Sequence, residues 1–360
     1  ITVRAKAPQA QFIETYILMQ FNHQSCIATK ASRMVRAAEG RAISEFGSRR
    51  AQGADAAMLG ARAAYIGGVA GKACTISDEY YHVPSTGTMA HAWVQMFDTE
   101  YEAFKAYVEM YPNNATLLVD TYNTLKSGVP NAIRAFNEVL KPMGITKCGI
   151  RLDSGDMTYL SKKARQMLDE AGWTECQISV SNSLDEYIIG DLLQQGAEID
   201  MFGVGERLIT AKSEPVFGGV YKLAAIMNKE GKFIPKIKLS ENTEKVTNPG
   251  NKTIYRVYEK ETGKIKADII CLVDDVMNEN EPLLLFDPVE PWKKTLLQPG
   301  TYTLREMLIP IFKNGECVYE SPKVMDIRAY CQEELETLWE ETKRLVNPHQ
   351  MHVDLSPRLY

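Results

Sequence analysis

A six-residue segment that begins at Arg151 concentrates groups that can bind an anionic substrate. Asp153 and Asp156 flank a turn made by Ser154 and Gly155, directly after a short apolar run. Two carboxylates at this spacing can hold Mg²⁺ or the hydroxyls of a sugar, and an arginine fork suits a phosphate or a carboxylate. The alternative is that the aspartate and serine side chains cap the helix that follows.

Two further segments place small polar residues or glycines after apolar runs, where exposed backbone N–H groups can surround a phosphate. They are Ser181, Asn182 and Ser183 after one run, and Gly203, Val204 and Gly205 after the next. Short Gly-x-Gly turns are common, so either segment alone is weak support. If the two runs are neighbouring strands, the segments together predict a phosphate site.

His91 is one of five histidines and begins an apolar segment. Such a residue can act as a base, an acid or a nucleophile. The alternative is a structural histidine at the start of a helix. No second histidine follows at the spacing of a metal-binding pair, which argues against a metal site built on histidines.

Two pairs of cations could bind an anion locally. Arg49 and Arg50 are adjacent in a glycine-flanked turn, and Lys30 and Arg33 are three residues apart in a helical pattern. The alternatives are a solvent-exposed loop for the first pair and a solvent-exposed helix face for the second.

The elements that must position these residues form a repeated pattern. Short apolar runs begin at 117, 148, 177 and 199, and three helical patterns lie between or beside them, at 130–140, 158–171 and 184–195. This spacing is typical of βα units and predicts a barrel or a doubly wound sheet. In both folds functional residues collect at the carboxyl ends of the strands, where these polar segments lie.

The rest of the chain lacks this repeated pattern. Residues 10–30 predict a long amphipathic helix, and 326–346 predict a charged helix that stops before Pro348. Asn314 and Gly315 predict a hairpin, and residues 1–4 have the pattern of a strand.

Composition excludes several classes of protein. The net charge of −5 argues against a general nucleic-acid binder, and no apolar stretch is long enough to span a membrane. Seven widely spread cysteines without a C-x-x-C pair indicate free thiols in a reducing cytoplasm, and argue against a zinc site built on cysteines.

Together these motifs resemble those of nicotinate phosphoribosyltransferases, in the type II phosphoribosyltransferase family. The resemblance covers nearly the whole chain. It rests on nine segments in order, at 28–33, 46–53, 87–91, 118–122, 149–156, 180–186, 202–205, 218–223 and 347–349.

The resemblance implies an α/β fold: an irregular TIM-like barrel with a split α/β (α+β) companion domain. Residues 1–11 would end an N-terminal domain whose first part precedes this chain, and 12–215 would form the barrel. Residues 216–322 would return to the companion domain, and 323–360 would form a C-terminal helix and tail. A cytoplasmic homodimer with shared active sites is also implied.

The implied reaction joins nicotinate to phosphoribosyl pyrophosphate, with Mg²⁺ as cofactor and ATP as co-substrate, in NAD salvage. His91 matches the histidine that takes a phosphoryl group from ATP, and Asp153 and Asp156 match catalytic residues that hold the ribose hydroxyls or Mg²⁺-diphosphate. The phosphate-binding residues would be 181–183 and 203–205. The substrate-binding positions would be Lys30, Arg33, Arg49, Arg50, Asp120, Arg151, Ser154 and Gly155.

Two alternatives stay open at this point. One is a related enzyme that acts on nicotinamide or quinolinate, because selectivity in such pockets depends on few contacts. The other is a non-catalytic nucleotide-binding barrel, which the fold alone would allow.

Overall fold

A computed structural model describes residues 1–239, 241, 247–290 and 292–360. Its contacts separate two compact units: residues 21–217 with 323–329, and residues 1–20, 218–322 and 330–360. The boundary expected after residue 11 falls inside a helix that is continuous from Ala7 to Ala37. Residues 240, 242–246 and 291 of the expected return segment lie outside the described residues.

The first unit is built on a parallel sheet that forms a half-barrel. Among the described residues it has six strands, in the order β2-β1-β6-β5-β4-β3. They are β1 (Ala42–Glu45), β2 (Gly71–Lys72), β3 (Thr116–Leu118), β4 (Gly149–Leu152), β5 (Gln177–Ser181) and β6 (Met201–Val204). The four predicted apolar runs correspond to β3–β6, which confirms the α/β fold class.

Helices follow or separate these strands. In chain order they are α1 (Ala7–Ala37), α2 (Ala54–Ile66), α3 (Thr75–Tyr81), α4 (His91–Gln95), α5 (Glu100–Met110), α6 (Val129–Ala135), α7 (Met157–Glu170), α8 (Glu186–Gln194), α9 (Glu206–Ile209) and α10 (Val324–Glu336). The helix predicted over 130–140 is α6 followed by a π-helical turn at Phe136–Leu140. None of the helices in the described ranges is both long and apolar enough to cross a membrane.

The core of the half-barrel lies on both faces of the parallel sheet. Strand residues such as Ile150, Ile178 and Phe202 are fully buried, as expected for a parallel sheet covered by helices. Burial is near-continuous along the strands, so polar side chains become available only where each strand ends.

The second unit is rich in antiparallel sheet. Its four-stranded sheet has the order β13-β9-β10-β16, and alternate residues of β10 are buried, the pattern of a strand with one covered face. The strands of this unit are β7 (Ala225–Met227), β8 (Phe233–Pro235), β9 (Lys252–Glu259), β10 (Ile265–Leu272), β11 (Leu283–Phe286), β12 (Lys294–Leu297), β13 (Tyr302–Glu306), β14 (Phe312–Lys313), β15 (Glu316–Cys317) and β16 (His352–Leu355). The hairpin at Asn314 and Gly315 is confirmed by the pairing of β14 with β15.

Two predicted elements differ from the structure. The helix expected over 326–346 ends at Glu336, because the Lys264 ammonium binds the carbonyls of Glu336 and Leu338 and turns the chain there. Residues 1–4 form no strand, since they pair with no strand in the described part of the chain; the Thr2 hydroxyl instead donates to the Lys252 carbonyl.

Candidate active site

The carboxyl ends of the parallel strands lie along one edge of the half-barrel, and the predicted site residues follow them. Asp120 and Asp153 come after β3 and β4. Asn182 and Ser183 come after β5, and Gly205 comes after β6. Segments far apart in the sequence are therefore collected at one edge of the sheet.

His91 begins α4, and two carboxylates face one of its ring nitrogens. Nε2 lies 3.6 Å from Asp153 Oδ2 and 3.9 Å from Asp120 Oδ1. Nδ1 lies 3.1 Å from the Thr121 hydroxyl oxygen. The side chain is 38% exposed, so a ligand can reach it. Carboxylates that attract a proton to Nε2 leave the Nδ1 lone pair available as a base or nucleophile.

The Asp120 carboxylate connects the ends of β3 and β4. Its Oδ2 accepts hydrogen bonds from the Asp153 amide at 3.1 Å and from the Ser154 hydroxyl at 2.5 Å. Its Oδ1 is buried and has no hydrogen-bond partner among the described residues. A buried acceptor without a donor is unfavourable, so a ligand that donates a hydrogen bond there would relieve the cost.

Asp153 and Asp156 have different surroundings, although their spacing suggests a matched pair. Asp153 accepts a hydrogen bond from the Ser181 hydroxyl at the end of β5 and also faces the histidine ring. Asp156 caps α7, since its Oδ1 accepts a hydrogen bond from the Tyr159 amide at 2.9 Å. The prediction of a helix cap is therefore confirmed for Asp156. The catalytic and metal-binding roles of Asp156 stay predictions.

Two arginines act on each other at this edge of the sheet. Arg151 donates a hydrogen bond from Nη1 to the Thr88 hydroxyl, and its Nε is buried without a partner among the residues described. Burial lowers the pKa of Arg151, the charge of Asp153 raises it, and the like charge of Arg49 lowers it again. Two cations close enough to repel each other favour an anion beside them.

The turn that carries Arg49 and Arg50 is packed against the end of β6. The Phe46 amide donates to the Val204 carbonyl at 2.7 Å. A Cβ atom on Gly47 would lie 2.6 Å from the carbonyl oxygen of Gly205, closer than real Cβ contacts. Only glycine lets these two loops approach each other this closely.

The predicted phosphate segments lie on neighbouring strands, β5 and β6. Asn182 and Ser183 both have positive φ angles, +89° and +54°, a strained conformation that concentrates at functional sites. Ser181 is buried, and a Cβ on Gly203 would lie 2.7 Å from the Phe46 ring. The adjacency that the phosphate site requires is present, and phosphate binding itself stays a prediction.

Lys30 and Arg33 are held by the protein's own carboxylate. The Lys30 ammonium lies 2.8 Å from Glu186 Oε2, and Arg33 Nε lies 3.0 Å from Glu186 Oε1. Glu186 is buried at the start of α8, and burying a carboxylate requires such compensation. These contacts fix α8 on α1, and direct binding of substrate by either cation stays a prediction.

Glu45 and Lys72 are charged residues of this edge that sequence reasoning missed. They end β1 and β2, lie opposite each other, and are fully buried. Burial raises the pKa of Glu45 to about 7, against the opposing effects of the Gly47 amide and Lys72. The sequence signal that could have found Glu45 is a charged residue at the end of a short strand, just before the glycine turn.

Replacing Glu45 with Gln should change how stability depends on pH. The folded-state pKa of about 7 lies above the ordinary value of 4.5, so the folded protein holds an extra proton between these values. The free energy of unfolding should therefore fall as pH rises through this window, by about 3 kcal/mol for this group. Glu45→Gln should lack that contribution in urea denaturation at several pH values.

The exposed residue Glu175 provides the matched control. In Glu175→Gln, the free energy of unfolding should follow the wild-type pH dependence. If Glu45→Gln also follows the wild-type curve in parallel, Glu45 is not buried with a raised pKa.

Magnesium would need ligands from outside the protein at this edge. In the described ranges, no group of three or more histidine, cysteine or acidic side chains is arranged to hold a metal ion. Mg²⁺ usually takes one or two carboxylates and completes its shell with water and substrate phosphates. Asp153 and the unpartnered oxygen of Asp120 fit that mode of binding.

The fold and site thus define a half-barrel α/β protein with a histidine–carboxylate cluster and neighbouring cations at its strand ends. Residues 251–360 match the nicotinate phosphoribosyltransferase C-terminal domain. A nicotinate phosphoribosyltransferase from Bacillus subtilis is 45% identical over 358 residues, which cover 98% of this chain and 71% of that relative. The chain belongs to the nicotinate phosphoribosyltransferase family.

Solved structures agree with this assignment. The crystal structure of human nicotinic acid phosphoribosyltransferase aligns with a TM-score of 0.80 and 26% identity, over 97% of this chain and 75% of the human chain. A nicotinate-nucleotide pyrophosphorylase from Pyrococcus furiosus aligns with a TM-score of 0.67 and 28% identity, over 90% of this chain and 73% of that chain.

Proposed function

We propose that the protein forms nicotinate mononucleotide and pyrophosphate from nicotinate and phosphoribosyl pyrophosphate, coupled to ATP hydrolysis through phosphorylation of His91, in NAD salvage. The observation that carries the proposal is the cluster of His91, Asp120 and Asp153 at the strand ends, beside Arg49 and Arg151. Family membership supports the same reaction.

The acidic residues would assist the transfer of the ribosyl group. The pyridine nitrogen forms a bond to C1 of the ribose while the C1–O bond to diphosphate breaks, and the electron pair of that bond leaves with the diphosphate. Positive charge develops on the sugar ring, and Asp120 and Asp153 supply fixed negative charge nearby. Mg²⁺, held through Asp153 and Asp120, would neutralise charge on the departing diphosphate.

His91 would accept the phosphoryl group from ATP. Its Nε2 faces the two carboxylates, so Nδ1 would attack the γ-phosphorus of ATP and the electron pair of the broken P–O bond would leave on ADP. The Thr121 hydroxyl now beside Nδ1 must turn away for this step. Hydrolysis of the phosphorylated ring returns phosphate and the free histidine, and its added charge would reshape a site that binds pyrophosphate.

Arg49 should contribute to the recognition of the nicotinate carboxylate. Because a charge-assisted hydrogen bond contributes about 1.5–3 kcal/mol, Arg49→Ala should raise KM for nicotinate about 10- to 100-fold, with a smaller change in kcat. Steady-state kinetics with saturating phosphoribosyl pyrophosphate measure this effect. Arg134→Ala, at a cation paired with Glu138 on the surface, is the control. An unchanged KM would exclude Arg49 from carboxylate recognition.

The proposed reaction is tested by a comparison of pyridines. The protein is incubated with phosphoribosyl pyrophosphate, Mg²⁺ and either nicotinate, nicotinamide or quinolinate, with and without ATP, and mononucleotide formation is followed. Product from nicotinate that increases with ATP supports the proposal. If only nicotinamide or only quinolinate gives product, the protein is a related enzyme that acts on that pyridine. If no pyridine gives product, the protein is a non-catalytic barrel.

A cytoplasmic homodimer with shared sites completes the proposal. The seven cysteines all lie among the described residues and none of them forms a disulfide, which agrees with a reducing compartment. Sedimentation of the protein at several concentrations tests the dimer.

A further inference from the structure

Two buried opposite charges end neighbouring strands at the active-site edge. Glu45 on β1 and Lys72 on β2 are direct partners in the parallel pairing, and both residues are fully buried. Burying a carboxylate and an ammonium is costly, and replacing such a pair by apolar side chains is often neutral or stabilising. Their hydrogen bonds go to two different loops, so each charge can position one loop.

Glu45 holds the turn that carries the first arginine of the site. Its carboxylate accepts a hydrogen bond from the Gly47 amide, directly before the 3₁₀ turn at Ser48–Arg50. Gly47 also packs on the carbonyl of Gly205, so the start of this turn has little freedom. The position of Arg49 therefore depends on the end of β1.

Lys72 holds the segment that leads to the histidine. Its backbone accepts from the Thr86 amide at 2.8 Å and donates to the Pro84 carbonyl at 3.2 Å. Its ammonium donates to the Ser85 hydroxyl at 3.4 Å and to the Cys74 carbonyl. This segment continues to His91 without entering another strand.

The two charges also act on each other across the strand pair. Burial dominates both groups, raising the pKa of Glu45 and lowering the pKa of Lys72, while the mutual attraction opposes burial in each case. A hydrogen bond therefore joins the Arg49 turn to Glu45, the backbone pairing of β1 and β2 joins Glu45 to Lys72, and a hydrogen bond joins Lys72 to the segment before His91. Coupling between two sites needs a physical connection of this kind.

We propose that Glu45 and Lys72 are positioning residues that link the Arg49 turn to the His91 segment, and so make ATP hydrolysis depend on nicotinate binding. This inference rests on the proposed function. When both Glu45 and Lys72 are present, nicotinate bound at the Arg49 turn favours the position of His91 in which phosphorylation leads to product. Without this link, phosphorylation and hydrolysis at His91 proceed whether or not nicotinate is bound.

The test measures ADP released per nicotinate mononucleotide formed. Lys72→Met keeps both backbone hydrogen bonds and removes the ammonium, so the ratio should rise about tenfold over wild type while turnover without ATP changes by less than about twofold. Ser85→Ala, at an exposed residue, removes the same contact from the other side, together with the hydrogen bond from Ser85 to Asp78, and should shift the ratio in the same direction.

Arg165→Met is the matched control, because this cation binds two backbone carbonyls near the amino end of β5, away from the site. It should lower stability and leave the ratio unchanged. If wild type is ATP-stimulated and the ratio stays at the wild-type value in Ser85→Ala and in folded Lys72→Met, the inference is overturned; if Lys72→Met does not fold, Ser85→Ala decides. A wild type without ATP-stimulated turnover would overturn the proposed function first, and this inference with it.

Discussion

Asp153→Asn is expected to lower kcat for mononucleotide formation by about 10²- to 10³-fold, the usual cost of removing one electrostatic contact to a transition state. Asparagine keeps the shape of the side chain and can still accept the hydrogen bond from the Ser181 hydroxyl. It removes the negative charge that faces His91 and that we propose to lie beside the reacting sugar. Single-turnover rates at saturating substrates measure the chemical step directly.

Asp156→Asn provides a comparison three residues away. Asparagine is as good a helix cap as aspartate, so α7 should stay intact and kcat should fall by less than about tenfold. Equal losses in both variants would contradict this expected difference and would support the catalytic role that the sequence predicts for Asp156. Circular dichroism confirms that both variants are folded.

His91→Ala is expected to abolish the stimulation of turnover by ATP while leaving the slower ATP-independent reaction. The alanine variant has no ring nitrogen to phosphorylate, so the ratio of rates with and without ATP should fall to about one. Initial rates of mononucleotide formation at fixed nicotinate and phosphoribosyl pyrophosphate give this ratio.

His82→Asn is the matched control for that variant. His82 lies at the C-terminal end of α3 with a positive φ of 53°, which asparagine tolerates better than most residues, and it is exposed. ATP should stimulate the turnover of His82→Asn as strongly as it stimulates the turnover of wild type. Stimulation that persists in His91→Ala would mean that ATP acts elsewhere.

The fold and the edge that carries the site follow from patterns local in the sequence. Apolar runs at the spacing of crossover units predicted parallel strands, and β3–β6 confirm them. Parallel strands place all their carboxyl ends at one edge, so Asp120, Asp153 and Ser181 could be expected near each other before any contact was known.

Individual contacts depend on side chains distant in the sequence and could not be predicted this way. His91 meets Thr121 across 30 residues, and Arg33 meets Glu186 across 153. A pair of cations at helical spacing looks the same whether it faces a substrate or an internal carboxylate. The buried charge of Glu45 was missed for a related reason: its pKa depends on burial, which a four-residue strand does not reveal.

The most direct test of the account is the fate of a phosphoryl group on His91. The protein is incubated with labelled ATP and Mg²⁺, separated from nucleotide, and mixed rapidly with nicotinate and phosphoribosyl pyrophosphate. We expect acid-labile label on His91 that is absent from His91→Ala, and its loss should match mononucleotide formation in rate and amount. Label that never forms, or that is lost at the same rate without nicotinate and without product, would contradict the account.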